Sequence, residues 1–371
     1  MIILEHGPGG AAQFDRAEAL VVAWSAAEVL PALARLDAAR AAGRWVAGYL
    51  AYEAGFALEP ALAGLMPRVT EPLLAFGIYA APLPAPVSSP AAARLAPLVP
   101  LISRAEYGAA FDRVKDYIGE GDCYQINLTF PLETRLLSGT PLELYAALRA
   151  RQAVGYGAFV DLGVGPVLVA RSPELFLRLD AAGRIETRPM KGTAPRDADP
   201  VEDALLAEGL RASPKDQAEN LMIVDLLRND IARICRVGSV RVPELFHVES
   251  YATVHQMVSR VVGQLAAPAS LLGVMAALFP CGSITGAPKI RAMQIIAEVE
   301  PFVRGAYCGT IGWMAPDGSA CFNVAIRTLQ LDGESVRLNV GGGVVYDSTA
   351  EGEWQEAMWK TRYARGLANP A

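Results

Sequence analysis

The segment between residues 306 and 346 constrains the fold more than any other part of the chain. Three stretches of β-type composition are separated there by the dipeptides Asp317-Gly318 and Asp332-Gly333. Asp-Gly suits the two-residue turns of β-hairpins, and hairpins join antiparallel strands. Elsewhere the predicted strands and helices do not follow the strict β-α-β alternation that builds parallel sheets. The sequence therefore predicts an α+β fold built on antiparallel sheets.

Periodicity and capping signals predict the other elements. Spacing of apolar residues predicts helices at residues 26–42, 103–120, 141–153, 200–212, 216–235, 269–279 and 350–366. The helix at 103–120 begins with a capping box, in which Ser103 is followed three residues later by Glu106. Apolar or alternating runs predict strands at 45–50, 123–130, 158–161, 167–171, 175–179, 185–187, 239–242 and 254–262.

Composition bounds the class of protein. The chain has 371 residues, a formal charge of −6 and no apolar run long enough to cross a membrane, which predicts a globular protein without nucleic-acid or membrane partners. The N-terminus lacks a basic start followed by an apolar segment, so cytoplasmic residence is expected. Residues 81–100 are rich in proline, which blocks helices and central strands. We place the one internal boundary there, between residues 1–100 and 101–371.

The basic segment Arg188–Arg196 is a candidate for nucleophilic chemistry. Pro189 and Pro195 fix φ on both sides of Lys191, and Gly192 permits backbone geometry that other residues resist. A lysine held in this way is a nucleophile if burial or neighbouring cations lower its pKa, and Arg188 and Arg196 could do so. The alternative is a solvated loop lysine.

Two predicted helices carry paired acidic residues. Asp216 and Glu219 share one face of the first helix, and Glu353 and Glu356 share a face of the second. Carboxylates from two helices that meet across a cleft could hold Mg²⁺, which takes oxygen ligands and keeps waters and substrate oxygens in its shell. Two solvated acidic faces would give the same pattern.

Other motifs point to the binding of an anion. The segment Phe279–Lys289 leads into a helix with Pro288 at or near its first turn, and a helix N-terminus offers backbone donors to an anion. Gly341–Gly343 would let a ligand approach the backbone closely, or would form a bulge or tight turn. Arg327 is a charged residue in an otherwise apolar predicted strand. Its guanidinium could pair with the carboxylate of a ligand, or it could lie on the solvated face of the strand. His255 could be an acid or base, or a packed imidazole.

Taken together, these motifs resemble the family of chorismate-utilising enzymes, which includes anthranilate, aminodeoxychorismate, isochorismate and salicylate synthases. The resemblance runs from about residue 103 to 366. It rests on the segments Gly121–Leu128, Arg171–Glu174, Arg188–Arg196, Ala218–Asp230, Gly282–Lys289 and Gly341–Glu356. It implies a large α+β domain whose two antiparallel sheets pack as a sandwich surrounded by helices. Residues 1–100 would be a divergent N-terminal part of this fold, and 101–371 the chorismate-binding catalytic core.

The resemblance also implies roles for individual residues. Glu219 and Glu356 match the carboxylates that bind Mg²⁺, with Glu353 and Asp216 near the ion through water. Glu174 matches the acid that protonates the departing 4-hydroxyl, which requires a pKa raised by burial. His255 matches a histidine near the enolpyruvyl group. The implied substrate-binding positions are Gln125, Thr193, Ser283, Tyr307, Arg327, Gly341, Gly342, Gly343 and Lys360. Among these, Tyr307, Arg327 and the glycines match the groups that bind the enolpyruvyl carboxylate, and Ser283 lies in the ring-carboxylate loop.

Two positions distinguish the activities within the family. Members that add water carry a lysine base where this chain has Gln125, and glutamine cannot deprotonate water. Anthranilate synthases have alanine where this chain and the aminodeoxychorismate synthases have lysine, at Lys191. The resemblance therefore implies that Lys191 attacks ring C2 of chorismate as the C4 hydroxyl leaves, and that ammonia then adds at C4.

The implied product is 4-amino-4-deoxychorismate, a precursor of 4-aminobenzoate and folate. The sequence shows no G-x-C-x-G elbow with a downstream His-x-Glu, so we expect ammonia to come from a separate glutamine amidotransferase subunit. The alternatives are anthranilate synthesis within the same family and a non-catalytic anion-binding subunit.

Overall fold

Two large antiparallel sheets form the centre of the structure, a computed structural model that describes residues 1–86, 92–251 and 254–367. The N-terminal strands are β1 (Ile2–Gly7), β2 (Gly10–Phe14), β3 (Ala19–Ala23), β4 (Trp45–Leu50), β5 (Leu74–Tyr79), β6 (Leu83–Pro84), β7 (Arg94–Leu95) and β8 (Val99–Pro100). The middle strands are β9 (Gln125–Ser138), β10 (Tyr156–Val160), β11 (Val167–Ser172), β12 (Leu175–Leu179), β13 (Arg184–Arg188) and β14 (Met190–Pro195). The last strands are β15 (Arg241–Ser250), β16 (Val254–Gln264), β17 (Gly286–Ala287), β18 (Thr310–Met314), β19 (Ala320–Asn323), β20 (Thr328–Asp332) and β21 (Ser335–Val344).

Helices surround the sheets. They are α1 (Ala26–Ala41), α2 (Ala54–Leu58), α3 (Arg104–Gly119), α4 (Pro141–Arg151), α5 (Pro200–Ala212), α6 (Pro214–Ala232), α7 (Leu271–Leu278), α8 (Lys289–Val299), α9 (Ala350–Trp359) and α10 (Arg362–Arg365), with short 3₁₀ turns at Pro60–Leu65 and Gly282–Ile284. The predicted capping box of α3 is present, because Ser103 accepts from the backbone N–H of Glu106 and the Glu106 side chain accepts from that of Ser103. Within the described ranges, no helix is long and apolar enough to cross a bilayer.

The order of the strands confirms the predicted α+β class and shows how the chain builds both sheets at once. One sheet has the order β17-β9-β21-β20-β11-β10-β1-β2-β6, with β7 and β8 also paired to β9. The other has the order β14-β16-β13-β12-β19-β18-β4-β5-β3, with β15 paired to β16. Residues 1–100 therefore contribute strands to both sheets. Apolar side chains from both parts of the chain, such as Leu50, Phe76, Phe130 and Phe322, share one buried core.

Three predictions about elements were wrong, each for a local reason. The predicted strand through Arg327 is broken, because β19 belongs to one sheet and β20 to the other, and Val324–Arg327 crosses between them. The Lys191 segment, predicted as a loop, is strand β14 paired with β16. The last predicted helix is interrupted at Lys360, between α9 and α10.

Other differences concern length and the N-terminus. Strands β1, β2 and β3 were not predicted, and the strands predicted at 123–130 and 239–242 extend to Ser138 and Ser250. The proline-rich connector contains the short strands β6, β7 and β8, while its residues 87–91 lie outside the described part of the chain. Pairing partners that are distant in sequence determine where such strands end, so the local pattern did not show it.

Candidate active site

A cavity of about 690 Å³ lies where β14, β21, α6 and α9 meet. Of the site residues predicted from the sequence, those that line it are Glu174, Lys191, Thr193, Glu219, Ser283, Tyr307, Arg327, Gly341, Gly342, Gly343, Glu353, Glu356 and Lys360. Asp216 also lines it, whereas Gln125 and His255 do not. The fold thus gathers residues from six separate sequence motifs around one space large enough for a small organic ligand.

Lys191 lies at a bulge in β14. The register with β16 shifts between Met190 and Thr193, and Gly192 has φ = 87°. The Lys191 ammonium group donates to the backbone oxygen of Ser283 at 3.3 Å. Burial lowers the pKa of Lys191, and the attraction of Glu174 opposes this shift only in part. The alternative of a solvated loop lysine is therefore wrong.

The neighbouring cation is not one that the sequence suggested. The arginines on either side of Lys191 pair elsewhere, Arg188 with Glu249 and Arg196 with Asp203. It is Lys360, at the end of α9, whose positive charge further lowers the pKa of Lys191. Two lysines that are distant in the sequence thus share one cavity.

Glu174 is a buried carboxyl between β11 and β12. It is 5 % exposed, and its Oε1 atom has no hydrogen-bond partner within the described structure. Burial raises its pKa, although a hydrogen bond with Ser283 and the charges of Lys191 and Arg327 pull the other way. The rise in pKa predicted from the sequence is confirmed. The carboxyl can therefore hold a proton beside Lys191.

Three carboxylates form the acidic end of the cavity. Glu219 comes from α6, and Glu353 and Glu356 come from the first turns of α9. Burial raises the pKa of Glu219 and of Glu353, and the negative charge of Glu356 adds to both shifts. Lys360 pairs with Glu356 at 2.9 Å and lowers the pKa of Glu356. Like charges held together in this way favour a bound cation.

The carboxylates of Glu219, Glu353 and Glu356 fit Mg²⁺ if they supply part of its coordination shell and waters and substrate oxygens supply the rest. Among the described residues, no three His, Cys, Asp or Glu side chains stand close enough to enclose a metal ion by themselves. Mg²⁺ does not need such a cage, since it is usually held by one or two carboxylates and keeps waters and substrate oxygens. Carboxylates from α6 and α9 that face one cavity meet that requirement.

Gly341–Gly343 lie in β21, not in a bulge or tight turn, and form a wall without side chains. They pair with Leu128 and its neighbours on β9. A Cβ atom on Gly342 would lie 2.6 Å from the Glu353 carboxylate, and one on Gly341 would lie 2.4 Å from the Leu128 carbonyl oxygen. Lys360 donates to the Gly341 carbonyl at 2.8 Å. The glycines therefore allow α9 to pack close to the strand.

Arg327 is held in a special backbone conformation. It has φ = 51°, which is uncommon for a residue with a side chain. Its backbone oxygen accepts from the N–H of Arg171 at 2.9 Å, which fixes the crossing segment to β11. The guanidinium has no ion-pair partner in the described ranges, and burial lowers its pKa. A partly buried arginine without an ion-pair partner among the described residues is suited to an anionic ligand.

His255 does not line the cavity, although the resemblance implies that it lies near the substrate. On β16, Val254 and Gln256 line the cavity, so His255 between them points to the opposite face. Its ring is buried and bonds to Ser250 Oγ and to Asp203 Oδ1, both at 2.9 Å. A contact between His255 and the substrate stays a prediction, which this packing does not favour. The observed ring matches the alternative interpretation of His255 as a packed, hydrogen-bonded imidazole.

Gln125 lies against the glycine wall. It is 1 % exposed, and neither its amide oxygen nor its amide nitrogen has a partner within the described residues. A Cβ atom on Gly343 would lie 2.4 Å from the Gln125 amide nitrogen. Gln125 therefore packs against the Gly343 face of the wall and is not among the residues that line the cavity.

Sequence reasoning missed several polar residues that line the cavity: Asn127, Lys215, Gln256, Asn339, Arg362 and Tyr363. Asn339 was recognisable in principle, because it is a polar residue within the otherwise apolar part of β21. Tyr363 had no such signal, since it comes from a short helix beyond the break at Lys360.

Comparison with known proteins gives three findings. A family model described as chorismate binding enzyme matches residues 6–365. Aminodeoxychorismate synthase component 1 of Klebsiella aerogenes is 47% identical over 259 residues, which are 70% of this chain and 57% of the relative. Anthranilate synthase component 1 of Streptomyces coelicolor is 40% identical over 262 residues, 70% of this chain and 51% of the relative. The chain spans just over half the length of these curated relatives.

A solved structure has the same fold. Anthranilate synthase component I from Streptococcus pneumoniae superposes with a TM-score of 0.78 at 25% identity, covering 99% of this chain and 90% of the other. The predicted architecture of two antiparallel sheets with surrounding helices is thus confirmed.

Proposed function

Because the chain belongs to the family of chorismate binding enzymes, we propose that it aminates chorismate at ring C4 and forms 4-amino-4-deoxychorismate. One observation carries the proposal: Lys191 and Glu174 line the same cavity, and burial opposes the charge of both. A neutral amine is a nucleophile, and a protonated carboxyl is a general acid. The identity of 47% to a relative named aminodeoxychorismate synthase component 1 supports the same choice.

The first step forms a covalent adduct. The amine of Lys191 forms a bond to ring C2 while the bond between C4 and its hydroxyl breaks. The departing hydroxyl takes the proton of Glu174 and leaves as water. The lysine nitrogen is then a protonated secondary amine, and Glu174 is a carboxylate.

The second step releases the lysine. Ammonia forms a bond to C4, the bond between C2 and nitrogen breaks, and Lys191 leaves as a neutral amine. Glu174 regains its proton from the new ammonium group on C4. In total, chorismate and ammonia give the amino product and water.

The ends of the cavity would hold the two carboxylates of chorismate. Glu219 and Glu356, with Glu353 beside them, would hold Mg²⁺, which when bound supplies positive charge for the ring carboxylate. Lys360 pairs with Glu356 at this end, the Ser283 backbone oxygen accepts from Lys191, and Thr193 belongs to the strand that carries Lys191. Arg327, Tyr307 and the backbone of Gly341–Gly343 would bind the enolpyruvyl carboxylate.

The ammonia would come from a second subunit. The words "component 1" in the name of the Klebsiella relative imply another component, and we propose a glutamine amidotransferase in that role. The chain alone is then expected to use ammonium salts at alkaline pH and not glutamine. Turnover of glutamine by the pure chain would contradict this part of the proposal.

Mass spectrometry of the protein mixed with chorismate and Mg²⁺, without ammonia, tests the nucleophile. We expect an adduct of chorismate less one water on Lys191. Lys191→Ala should lose this adduct while keeping its circular dichroism spectrum. Lys215→Ala is the matched control, because Lys215 lines the same cavity. This variant should still form the adduct on Lys191. An adduct on another residue would reject the role of Lys191.

Anthranilate synthesis is the second candidate, favoured by the 40% identity to the Streptomyces anthranilate synthase component 1. Product analysis with chorismate, Mg²⁺ and ammonium separates the two. Anthranilate without aminodeoxychorismate would overturn our assignment. Binding of chorismate without any consumption would instead identify a non-catalytic subunit.

A further inference from the structure

The cavity is lined by polar side chains that find no partner among the described residues. Asn339, on β21, is 1 % exposed, and both atoms of its side-chain amide lack a hydrogen-bond partner within the described residues. The hydroxyl of Tyr363, on α10, is buried and also lacks a partner there. Both residues line the cavity. Buried polar atoms without partners cost free energy, so such a group needs an explanation.

The position of Asn339 in β21 explains why its side-chain amide has no partner. Side chains two residues apart in a strand lie on the same face, so Asn339 lies on the face of β21 that also carries Gly341 and Gly343. Its partner on β9 is Pro131. Proline has no N–H group and its ring cannot hydrogen-bond to the amide. Pro131 therefore gives the Asn339 amide no partner, and the amide is free to bind a ligand in the cavity that Asn339 lines.

The surroundings of Tyr363 indicate the charge of that ligand. Arg327 and Arg171 are the charged groups that act on the Tyr363 hydroxyl. Arg171 is already paired with Glu5, whereas Arg327 has no acidic partner within the described chain. The nearby acid, Glu174, has its pKa raised by burial. The lining of the cavity thus combines, near Tyr363, a positive charge without an acidic partner and a neutral hydrogen-bond donor.

We propose that Asn339 and Tyr363 bind the substrate together with Arg327, by donating hydrogen bonds to the enolpyruvyl carboxylate. The proposal rests on the function proposed above. It adds two residues that determine affinity and specificity for a carboxylate in the cavity. The carboxylate would accept from the guanidinium of Arg327, the side-chain N–H of Asn339 and the O–H of Tyr363.

Asn339→Leu and Tyr363→Phe test this proposal, because they remove the polar atoms with little change in shape. A hydrogen bond to a charged group is worth roughly a tenfold change in binding or more, so the KM for chorismate should rise by about that factor in each variant. The value of kcat should change much less. An unchanged KM would overturn the proposal.

The stability of the ligand-free variants separates a ligand-binding role from a structural one. Removing a polar group that has no partner should leave the Tm unchanged or raise it. Asn323→Leu is the matched control. Asn323 is equally buried, but its amide accepts from the N–H of Ile311 and donates to the Tyr156 oxygen. That control should lower the Tm. If Asn339→Leu lowered it in the same way, Asn339 would be structural and the proposal would fail.

An analogue locates the contact on the substrate. Chorismate whose enolpyruvyl carboxylate is a methyl ester should bind the wild-type protein more weakly, and this loss should shrink in Asn339→Leu and Tyr363→Phe. An equal loss in all three proteins would reject the proposed contact.

The two proposals can fail separately. If the wild-type protein aminates chorismate and the variants keep its KM, only the present inference fails. If the wild-type protein does not turn chorismate over, but chorismate raises its Tm and this shift is lost in Asn339→Leu, only the proposed function fails. If chorismate neither reacts nor shifts the Tm, both fail.

Discussion

At the scale of single residues, burial affects the pKa values of Lys191 and Glu174 more than the attraction between their charges does. An amine and a carboxyl in one cavity attract each other when both are charged, which would raise the pKa of the lysine and lower that of the acid. The opposite holds for both groups, because desolvation is the largest contribution to each shift. The cavity therefore shifts both pKa values toward the neutral amine and the protonated acid, which are the forms that the proposed chemistry needs.

These shifts predict a bell-shaped pH dependence for adduct formation. The rate rises with pH as Lys191 loses its proton. This rise begins at a lower pH than for an ordinary lysine with a pKa of 10.5, because burial lowers the pKa of Lys191. The rate falls again as Glu174 loses its proton, above the ordinary glutamate pKa of 4.5 because burial raises that pKa. Single-turnover mass spectrometry without ammonia measures this profile without the titration of ammonia itself.

Glu174→Gln should abolish the alkaline limb and slow adduct formation by about a hundredfold or more, since general acids contribute about that much. Asp216→Asn, which changes another acid of the same cavity, should keep the alkaline limb. A rate in the wild-type protein that continued to rise up to pH 10 would contradict the role of Glu174.

The residues that the sequence identified are those whose function depends on a local motif. Lys191, Glu174 and the acids of α6 and α9 were identified in this way, and all line the cavity. The orientation of His255 depends on which face of β16 meets the cavity, and this is set by pairing with β14 and β15. Asn339 and Tyr363 acquire their significance only from the absence of partners in the folded protein.

At the scale of elements, the pairing of β21 with β9 requires glycine for two different reasons. A Cβ atom on Gly341 would meet a backbone oxygen of Leu128, which the strand pairing holds in place. A Cβ atom on Gly342 would meet only the end of the Glu353 side chain, which can move. Substitutions at adjacent positions should therefore have different effects.

Gly341→Ala should lower the free energy of unfolding by about 1–3 kcal/mol, the usual range for an overpacked site. Gly342→Ala should change stability little but raise the Mg²⁺ concentration needed for half-maximal activity several-fold, because Glu353 is displaced. Urea unfolding and Mg²⁺ titration of the rate measure the two effects. Gly209→Ala on α5 is the control, since nothing lies near its Cβ position and alanine favours a helix. Equal losses of stability in both β21 variants would refute the distinction.

The bounds of a helix or strand were predictable where the sequence near its ends carried a clear start or stop signal. The strand at Trp45–Leu50 and the helix at Pro200–Ala212 have the predicted bounds, and α3 begins at its predicted cap. The segment around Arg327 was not predictable in this way, because Val324 to Ile326 are as apolar as the strands on either side. The change of sheet depends on the neighbours that each strand finds, and not on its own pattern.

At the scale of the whole molecule, a buried network links residues 1–100 to the walls of the cavity. The carboxylate of Glu53, beside α2, accepts from the backbone N–H groups of Arg304 and Gly305 at 2.6 and 3.1 Å. Arg304 in turn pairs with Glu300 and donates to the backbone oxygens of Ile284 and Asn127. Ile284 and Asn127 both line the cavity. The N-terminal part thus supports the site, although none of its described residues belongs to the lining.

The isolated segment 101–371 is therefore expected not to fold into a binding-competent protein. Its β10 would lose the pairing of Ile2–Leu4 and its β18 that of Val46–Leu50, which would expose two strand edges and a large part of the core. We expect it to aggregate or to unfold in urea without a cooperative transition, and to show no rise in Tm with chorismate. Co-expression with a separate 1–100 fragment should restore both properties, because the contacts between the parts are non-covalent. If segment 101–371 alone unfolded cooperatively and showed the same chorismate-induced rise in Tm as the full chain, residues 1–100 would be a removable appendage, and their strands would not be needed to hold the cavity.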